Sequence, residues 1–375
     1  MNECSSNNAY SESIQGKIDL LFVQLGFEKS RHLIQNIKLI HGMFPDILIH
    51  CVISKGSVLE QDLPTFVNRI VYTAEKRIDE LFDSKNIDLD FRRGYWRYTL
   101  ERLIAIKSAY DENPKSKFIH IESDVFLLPS FPFSNFQSIE NVAWLPYGDT
   151  RDIASIMYFP SLEKNSQFTD DLLFILLSNL ELTDMQALNI LRNTFPERYS
   201  LLPSSNMNFP NLLNTSVLST SSLNTVFEGI FDSAPIGMWL TGIDPKNYFG
   251  VTRYFETIKI EEMNTFIQPN AYSLKFVNSQ ELFYEANDNS LQIYNLHLHS
   301  KSKKIFSPQW SSEIKRLVTL SSKGKVYSEF SIKLFFELIF SNLLKGTLIE
   351  YIYNSPLFFN VRRFKHYLRR KNNRR

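Results

Sequence analysis

Cysteine is nearly absent: Cys4 and Cys51 are the two in 375 residues. That excludes a disulfide framework and a thiolate zinc site, and it fits a reducing compartment. No stretch approaches roughly 18 uninterrupted apolar residues, so a membrane-spanning helix is not expected. The opening "MNECSSNNAYSESIQGK" lacks a basic region followed by an apolar segment. It therefore does not read as a secretory signal, and residues 1–17 read as a polar, poorly ordered arm. Acids are missing from the last stretch, "VRRFKHYLRRKNNRR", which carries eight Lys/Arg. The net charge of +1 thus hides a body at about −7 and a strongly basic tail. A hydrophobic fraction of 43% and a charged fraction of 22% are ordinary for a folded chain of this size.

What is present alternates between two periodicities. "IDLLFVQL" (18–25) is a compact apolar run ended by Gly26, as a buried strand would be. "EKSRHLIQNIKLIHGMF" (28–44) spaces Leu33, Ile34, Ile37, Ile40 and Met43 as one face of a helix. "DILIHCVIS" (46–54) and "NRIVYTA" (68–74) read as the next strands, and "YWRYTLERLIAIKSAYDEN" (95–113) as one long helix stopped by Pro114. Strands follow from Lys117, at 141–148 and at 155–161. Such alternation predicts an α/β fold with a mixed, mostly parallel sheet flanked by helices.

Within "KFIHIESDVFLLPSFPF" (117–133), Glu122 and Asp124 stand where a buried strand leaves its sheet. Ligands of open α/β sheets bind beyond the carboxyl ends of the strands. On an extended segment residues 122 and 124 point to one face, where two carboxylates repel unless a positive charge joins them. A divalent cation with oxygen ligands would supply it. The plain alternative is a solvated strand end. Further along, Asp232 opens a helical turn in "IFDSAPIGMWLTGIDPKNYFG", where backbone N–H groups would keep it ionised, as a general base must be. Gly237 and Gly242 would let the backbone approach a ligand closely. The competing reading of Asp232 is a helix N-cap.

The long helix followed by "FIHIESDVFLLPSF" resembles the GT-A-fold transferases that use nucleotide-diphospho-sugars. The resemblance implies an Asp-X-Asp motif holding Mn²⁺ or Mg²⁺ on the donor diphosphate, with Glu122 in the first position and Asp124 in the second. "TDMQALNIL" (183–191) is similar to the Asp-Gln-X-X-Leu-Asn helix start that lines the acceptor side of several such families, although Met185 separates Asp184 from Gln186. By itself Thr183 is also a good N-cap and Asp184 a favourable first-turn anion. "IYNLHLHSKSKKIFSPQW" (293–310) resembles the late His-X-X-X-X-Lys-Pro-Trp element, with Gln309 in place of the proline. It implies His299 or His297 as a further metal ligand, His299 preferred because the lysines follow it more closely, and Lys301 against the diphosphate. The segment around Asp232 looks like the corresponding loop of bacterial polysaccharide transferases. It makes Asp232, or failing it Asp184, the base for an acceptor hydroxyl. Arg93 and Arg97, four apart on one helical face, could meet the nucleotide or form a solvated basic face.

These readings combine into a GT-A-like catalytic domain over 18–310 and a helical, basic segment over 311–375. Residues 326–368 crowd aromatic and aliphatic side chains before the cations, an interfacial pattern suited to an anionic membrane surface. The alternative is packing back on the domain. No recognition motif accompanies the cations, so nucleic acid is not expected. The expectation is a metal-dependent glycosyltransferase of bacterial surface-polysaccharide synthesis. It would move a sugar from a nucleotide-sugar, a UDP-sugar first, to a glycan or lipid-linked acceptor, at the cytoplasmic face of the cell membrane. The rivals are a non-catalytic scaffold of a polysaccharide assembly complex and a sugar-phosphate nucleotidyltransferase. The second is disfavoured because "QLGFEKS", after the first strand, holds a single glycine and no phosphate-cradling loop.

Overall fold

The computed structural model describes residues 17–26, 31–84, 94–148, 150–179, 182–205, 223, 225–241, 273–286, 289–298 and 304–321. One compact unit runs from Met1 to Val326; the other, Tyr327–Arg375, lies outside the described residues, as does the expected membrane-facing tail. Among the described residues no helix is long and apolar enough to cross a membrane.

The first four strands form where the apolar runs predict: β1 (Ile18–Gln24), β2 (Ile49–Ser54), β3 (Val67–Tyr72) and β4 (Lys117–Ile121). After β4 come β5 (Val125–Leu127), β6 (Val142–Pro146), β7 (Asp152–Phe159) and β8 (Tyr199–Leu201). Seven of these make the central sheet in the order β3-β2-β1-β4-β7-β6-β8. All neighbours pair in parallel except across β7, which runs against both β4 and β6. The fold is α/β, a mixed and mostly parallel sheet with helices on its faces. Chain order reverses between β1 and β4, and in open α/β sheets such a reversal leaves a crevice beyond the carboxyl ends of the strands.

Each strand serves two cores because successive side chains point to opposite faces. Ile18, Leu20 and Phe22 join Ile119 and Ile121 on the side covered by α1 (Arg31–Met43). Leu21 and Phe118 face the other side. That side is covered by α3 (Tyr95–Ala105), α4 (Lys107–Glu112), α5 (Leu162–Ser178) and α6 (Asp184–Thr194). On α1, Leu33, Ile37 and Ile40 are fully buried, each contributing about 1.5–3 kcal/mol by area. The expected helix over 95–113 is two helices, interrupted at Ile106; a one-residue break leaves the apolar spacing intact and is invisible to it. α6 is tied to the sheet by buried Asp152, which accepts hydrogen bonds from Trp144 Nε1 (3.0 Å) and Arg192 Nε (2.9 Å).

A second, five-stranded sheet joins β11 (Leu274–Val277), β12 (Glu281–Ala286), β13 (Asn289–Ile293), β10 (Gly229–Asp232) and β9 (Ser204–Ser205) in that order. After Tyr294 the chain forms β14 (Asn295–His297), which leaves this sheet and pairs antiparallel with β5. Helix α7 (Pro235–Thr241) follows β10 directly. Helix α8 (Trp310–Ser321) buries Ile314, Leu317 and Val318, with Trp310 against Phe126, so it packs as part of the first unit.

Candidate metal centre

At the carboxyl end of β4 the chain does not stay extended. Ser123 and Asp124 form a tight turn in which Val125 N–H donates to the Glu122 carbonyl (3.1 Å). The two carboxylates therefore converge through a turn, not through strand alternation as the sequence suggested. Beyond that bond, the backbone of the turn is held by three other elements. Glu122 N–H donates to Ser155 O on β7 (3.0 Å), and Leu298 N–H, just past β14, donates to Asp124 O (2.8 Å). From α1, Asn36 Nδ2 donates to Ser123 O (3.3 Å) and Val125 O (2.7 Å), and His32 Nε2 shares a hydrogen bond with Ser123 Oγ (2.9 Å).

Pairing of β14 with β5 sets His297 opposite Val125. Its Nε2 lies 3.3 Å from Glu122 Oε2 and 3.6 Å from Asp124 Oδ1. Its Nδ1 lies 2.8 Å from the Ser233 carbonyl, which can only accept, so Nδ1 carries a hydrogen and Nε2 faces the carboxylates. This orientation, with the far nitrogen anchored on backbone, is the one metal-binding histidines use. One ligand atom each from Glu122, Asp124 and His297 lie within 4.8 Å of one another. Ligands about 2.1 Å from a common ion sit at most about 4.3 Å apart, so a small side-chain rotation closes the set. Two carboxylates and one imidazole suit Mn²⁺ or Mg²⁺.

Arg102 completes the charge balance. Its guanidinium bonds Glu122 Oε1 through Nη1 and Asp184 Oδ2 through Nη2 (2.8 Å). Burial opposes its charge, but the two carboxylates outweigh that and hold it above its ordinary value. Burial likewise pushes Glu122 upward, and Arg102 and then His297 overcome this to hold it well below the usual carboxylate range. His297 is disfavoured as a cation by burial, yet Asp124 and Glu122 raise it to about 10. The cluster is thus three carboxylates against one permanent cation and one imidazole, a site that gains by taking in positive charge.

Asp232 is placed differently from a general base. It is 0% exposed, and both its oxygens accept backbone hydrogens. Oδ1 takes Ile236 N–H (3.0 Å), while Oδ2 takes Gly237 N–H (2.7 Å) and His297 N–H (3.0 Å). Asn295 Oδ1 and Nδ2 bridge its own N–H and C=O (3.0 Å each). Burial pushes its pKa up despite these donors. A carboxylate so enclosed cannot reach an acceptor hydroxyl; it fastens α7 and β14 to the end of β10. Asp232 accepts first-turn N–H groups as a capping carboxylate does, but from three residues before Pro235, and the base role is withdrawn. Gly237 is needed for the same junction: a Cβ there would stand 2.0 Å from the His297 carbonyl oxygen, so the close approach is to backbone and not to a ligand.

Asp184 begins α6 beside a full capping box, Thr183 with Gln186, and is buried against Arg102. Burial pushes it up, with Arg102 opposing. It belongs to the ionic network behind Glu122, not to an open acceptor face. Arg97 is also engaged elsewhere, pairing with Asp79 of α2 (Lys76–Ser84) and with Glu101 (3.0 Å) and lying over the Phe82 ring. It joins α2 to α3 and does not reach the cluster. Arg93, His299, Lys301 and Gly242 lie outside the described residues. Among the described histidines, His297 is the one the structure brings to the carboxylates. Arg102 escaped sequence reading, although it stands at helical spacing from buried Thr99, Ala105 and Ile106, a charge on an apolar stripe.

No protein-family profile and no curated protein matches the chain. Among solved structures it is similar to the apo-form glycosyltransferase GlyE of Streptococcus pneumoniae TIGR4, at 12% identity and a TM-score of 0.31. That match covers 50% of this chain and 45% of the other, so the chain spans under half of that protein's length. A glycosyltransferase involved in glycosylation of the major capsid of PBCV-1 is similar at 12% identity and TM-score 0.30, over 49% of this chain and 81% of the other. The PaToxG glycosyltransferase follows at 14% and 0.29, over 48% and 69%. At such values the chemistry has to be argued from the residues themselves.

Proposed function

We propose that the chain transfers a sugar from a nucleotide-sugar to a hydroxyl acceptor, with a divalent cation held by Asp124, Glu122 and His297. The observation that carries this reading is the convergence of those three side chains, from segments far apart in sequence, at the carboxyl end of β4. A bound Mn²⁺ or Mg²⁺ would act as a Lewis acid on the departing diphosphate. The chain's own residues do the rest. Ser233 fixes the His297 tautomer, Asp232 holds the His297 N–H while Asn295 bridges the backbone of Asp232, and Arg102 keeps Glu122 ionised while leaving Oε2 for the cation. The crevice beyond β1 and β4 would orient the donor, with Lys301 and Arg93 offered to the diphosphate on the sequence resemblance. No acceptor base is assigned, because Asp232 and Asp184 are both held in other bonds.

A UDP-sugar is the first donor to test, and a glycan or lipid-linked acceptor of bacterial surface polysaccharide fits the basic, aromatic tail. That tail would hold the protein at an anionic inner membrane face, through Lys/Arg contributing about 1 kcal/mol each near the surface. A panel of nucleotide-sugars with Mn²⁺, read by thermal shift and donor hydrolysis, tests the proposal. Metal-dependent stabilisation and hydrolysis of one donor is expected. Binding of Mn²⁺ and nucleotide without turnover of any donor or acceptor would favour the non-catalytic scaffold instead.

A further inference from the structure

Asn36 is a polar side chain on the apolar face of α1, 0% exposed beside Leu33, Ile37 and Ile40. Helix propensity and packing at this place would both prefer leucine. Its Oδ1 finds no hydrogen-bond partner among the described residues, a penalty that a purely structural position would shed. What Asn36 does have is an Nδ2 that bridges two carbonyls of the carboxylate turn, Ser123 O and Val125 O, on either side of Asp124. One turn earlier on the same helix, His32 meets the Ser123 side chain.

We propose that Asn36 is a positioning residue for the cation site, with His32 as its auxiliary; this rests on the reading of Asp124, Glu122 and His297 as a cation site. The physical argument concerns direction. The peptide planes of a four-residue turn can take several orientations, and each rotates the flanking side chains. β7 holds the entrance of the turn and the residue after β14 holds Asp124 O, but neither touches Ser123 O or Val125 O. Removing the amide of Asn36 takes away the donor that holds those two carbonyls, and the peptide planes that aim Asp124 and Glu122 are released. Groups that orient metal ligands from behind typically change affinity 10–100-fold when lost.

The test is Mn²⁺ binding to the full-length protein, followed by electron paramagnetic resonance well below the melting temperature. Asn36→Leu is expected to raise the Mn²⁺ Kd about 10–100-fold and to alter the bound-ion spectrum. His32→Ala should shift both in the same direction by less. Ile40→Val, a packing change on the same helix face, should lower the melting temperature while leaving Kd and spectrum unchanged. A wild-type Kd in Asn36→Leu overturns the proposal, as does an equal loss in Ile40→Val. If Asn36→Leu does not fold, Asn36→Ser and His32→Ala decide: wild-type Kd in both overturns it. Failure of the wild-type protein to bind Mn²⁺ is a different result, and removes the cation reading itself.

Discussion

The two halves of the candidate cation site are built in opposite ways. Glu122 and Asp124 come from one short turn at the end of a strand buried from Phe118 to Ile121, where local sequence places them one residue apart. His297 comes from a three-residue strand that has left its own sheet and is held by pairing with β5, by Leu298 on Asp124, and by Asp232 beneath it. The first half is local chemistry on a rigid edge. The second exists only after distant segments have docked, and its supporting hydrogen bonds are nearly all side chain to backbone. Ligand identity in such a site is therefore read from sequence on one side and from tertiary pairing on the other.

The sharpest way to break the local half is Asp124→Ala. Isothermal titration calorimetry with Mn²⁺ and a nucleoside diphosphate should show affinity lost by more than about 100-fold, with an unchanged melting curve. Unchanged affinity would remove Asp124 from the site.

Arg102→Met tests the charge behind both halves. It leaves Glu122 and Asp184 buried without their cation, and breaking such a pair costs about 3–5 kcal/mol. Urea denaturation should register that loss, and raising Mn²⁺ should restore part of it by supplying positive charge. A loss below 1 kcal/mol would mean that the network is solvated, as exposed pairs are.

Asp232→Asn addresses the assembled half. The amide can still accept two of the three backbone hydrogens, so a loss of about 1–3 kcal/mol is expected. Mn²⁺ affinity should weaken with it, and turnover should recover at saturating Mn²⁺. A general base would behave otherwise, because no metal concentration would rescue its removal.

The smallest effect is in the pH dependence. His297 is raised from its ordinary 6.5 to about 10 by Asp124 and Glu122. In the metal-free protein its contribution to stability is therefore complete below about 6.5 and is lost as pH climbs toward 10. Melting in EDTA across that window should show the decline. Mn²⁺ affinity should move the other way, rising with pH because Nε2 must shed its hydrogen to bind. Opposite trends in the two experiments place the same imidazole in both; a flat affinity would separate His297 from the ion.

Much of the first half was legible. Continuous apolar runs marked β1, β2 and β4 because strands buried on both faces need them. A pair of acids at the end of such a run could only be solvated or liganded. The reading that both point one way by parity reached the right pair through the wrong geometry, since the turn at Ser123 supplies the convergence. His297 and His299 have equal parity, and the preference for His299 rested on the lysines that follow it; pairing with β5 brings His297 to the carboxylates, while His299 lies outside the described residues. For Asp232 the capping reading was close, since it does accept first-turn N–H groups, yet its enclosure depends on β14, which no local window contains. Arg102 was missed because a helical arginine is usually taken as exposed, and its two carboxylate partners lie just past the end of β4 and at the start of α6.

The hydrogen bond from Leu298 to Asp124 gives a bound ion a further part as a tether. By joining Asp124 to His297 it would close a chain loop of roughly 170 residues, a restriction whose entropic worth for a covalent link of that span is on the order of 5 kcal/mol. β14 already supplies some of that closure, so the ion adds the remainder. Stripping the ion would then loosen everything threaded between the two ligands at once, and limited proteolysis would find that whole interval more easily cut while α1 and the first strands keep their resistance.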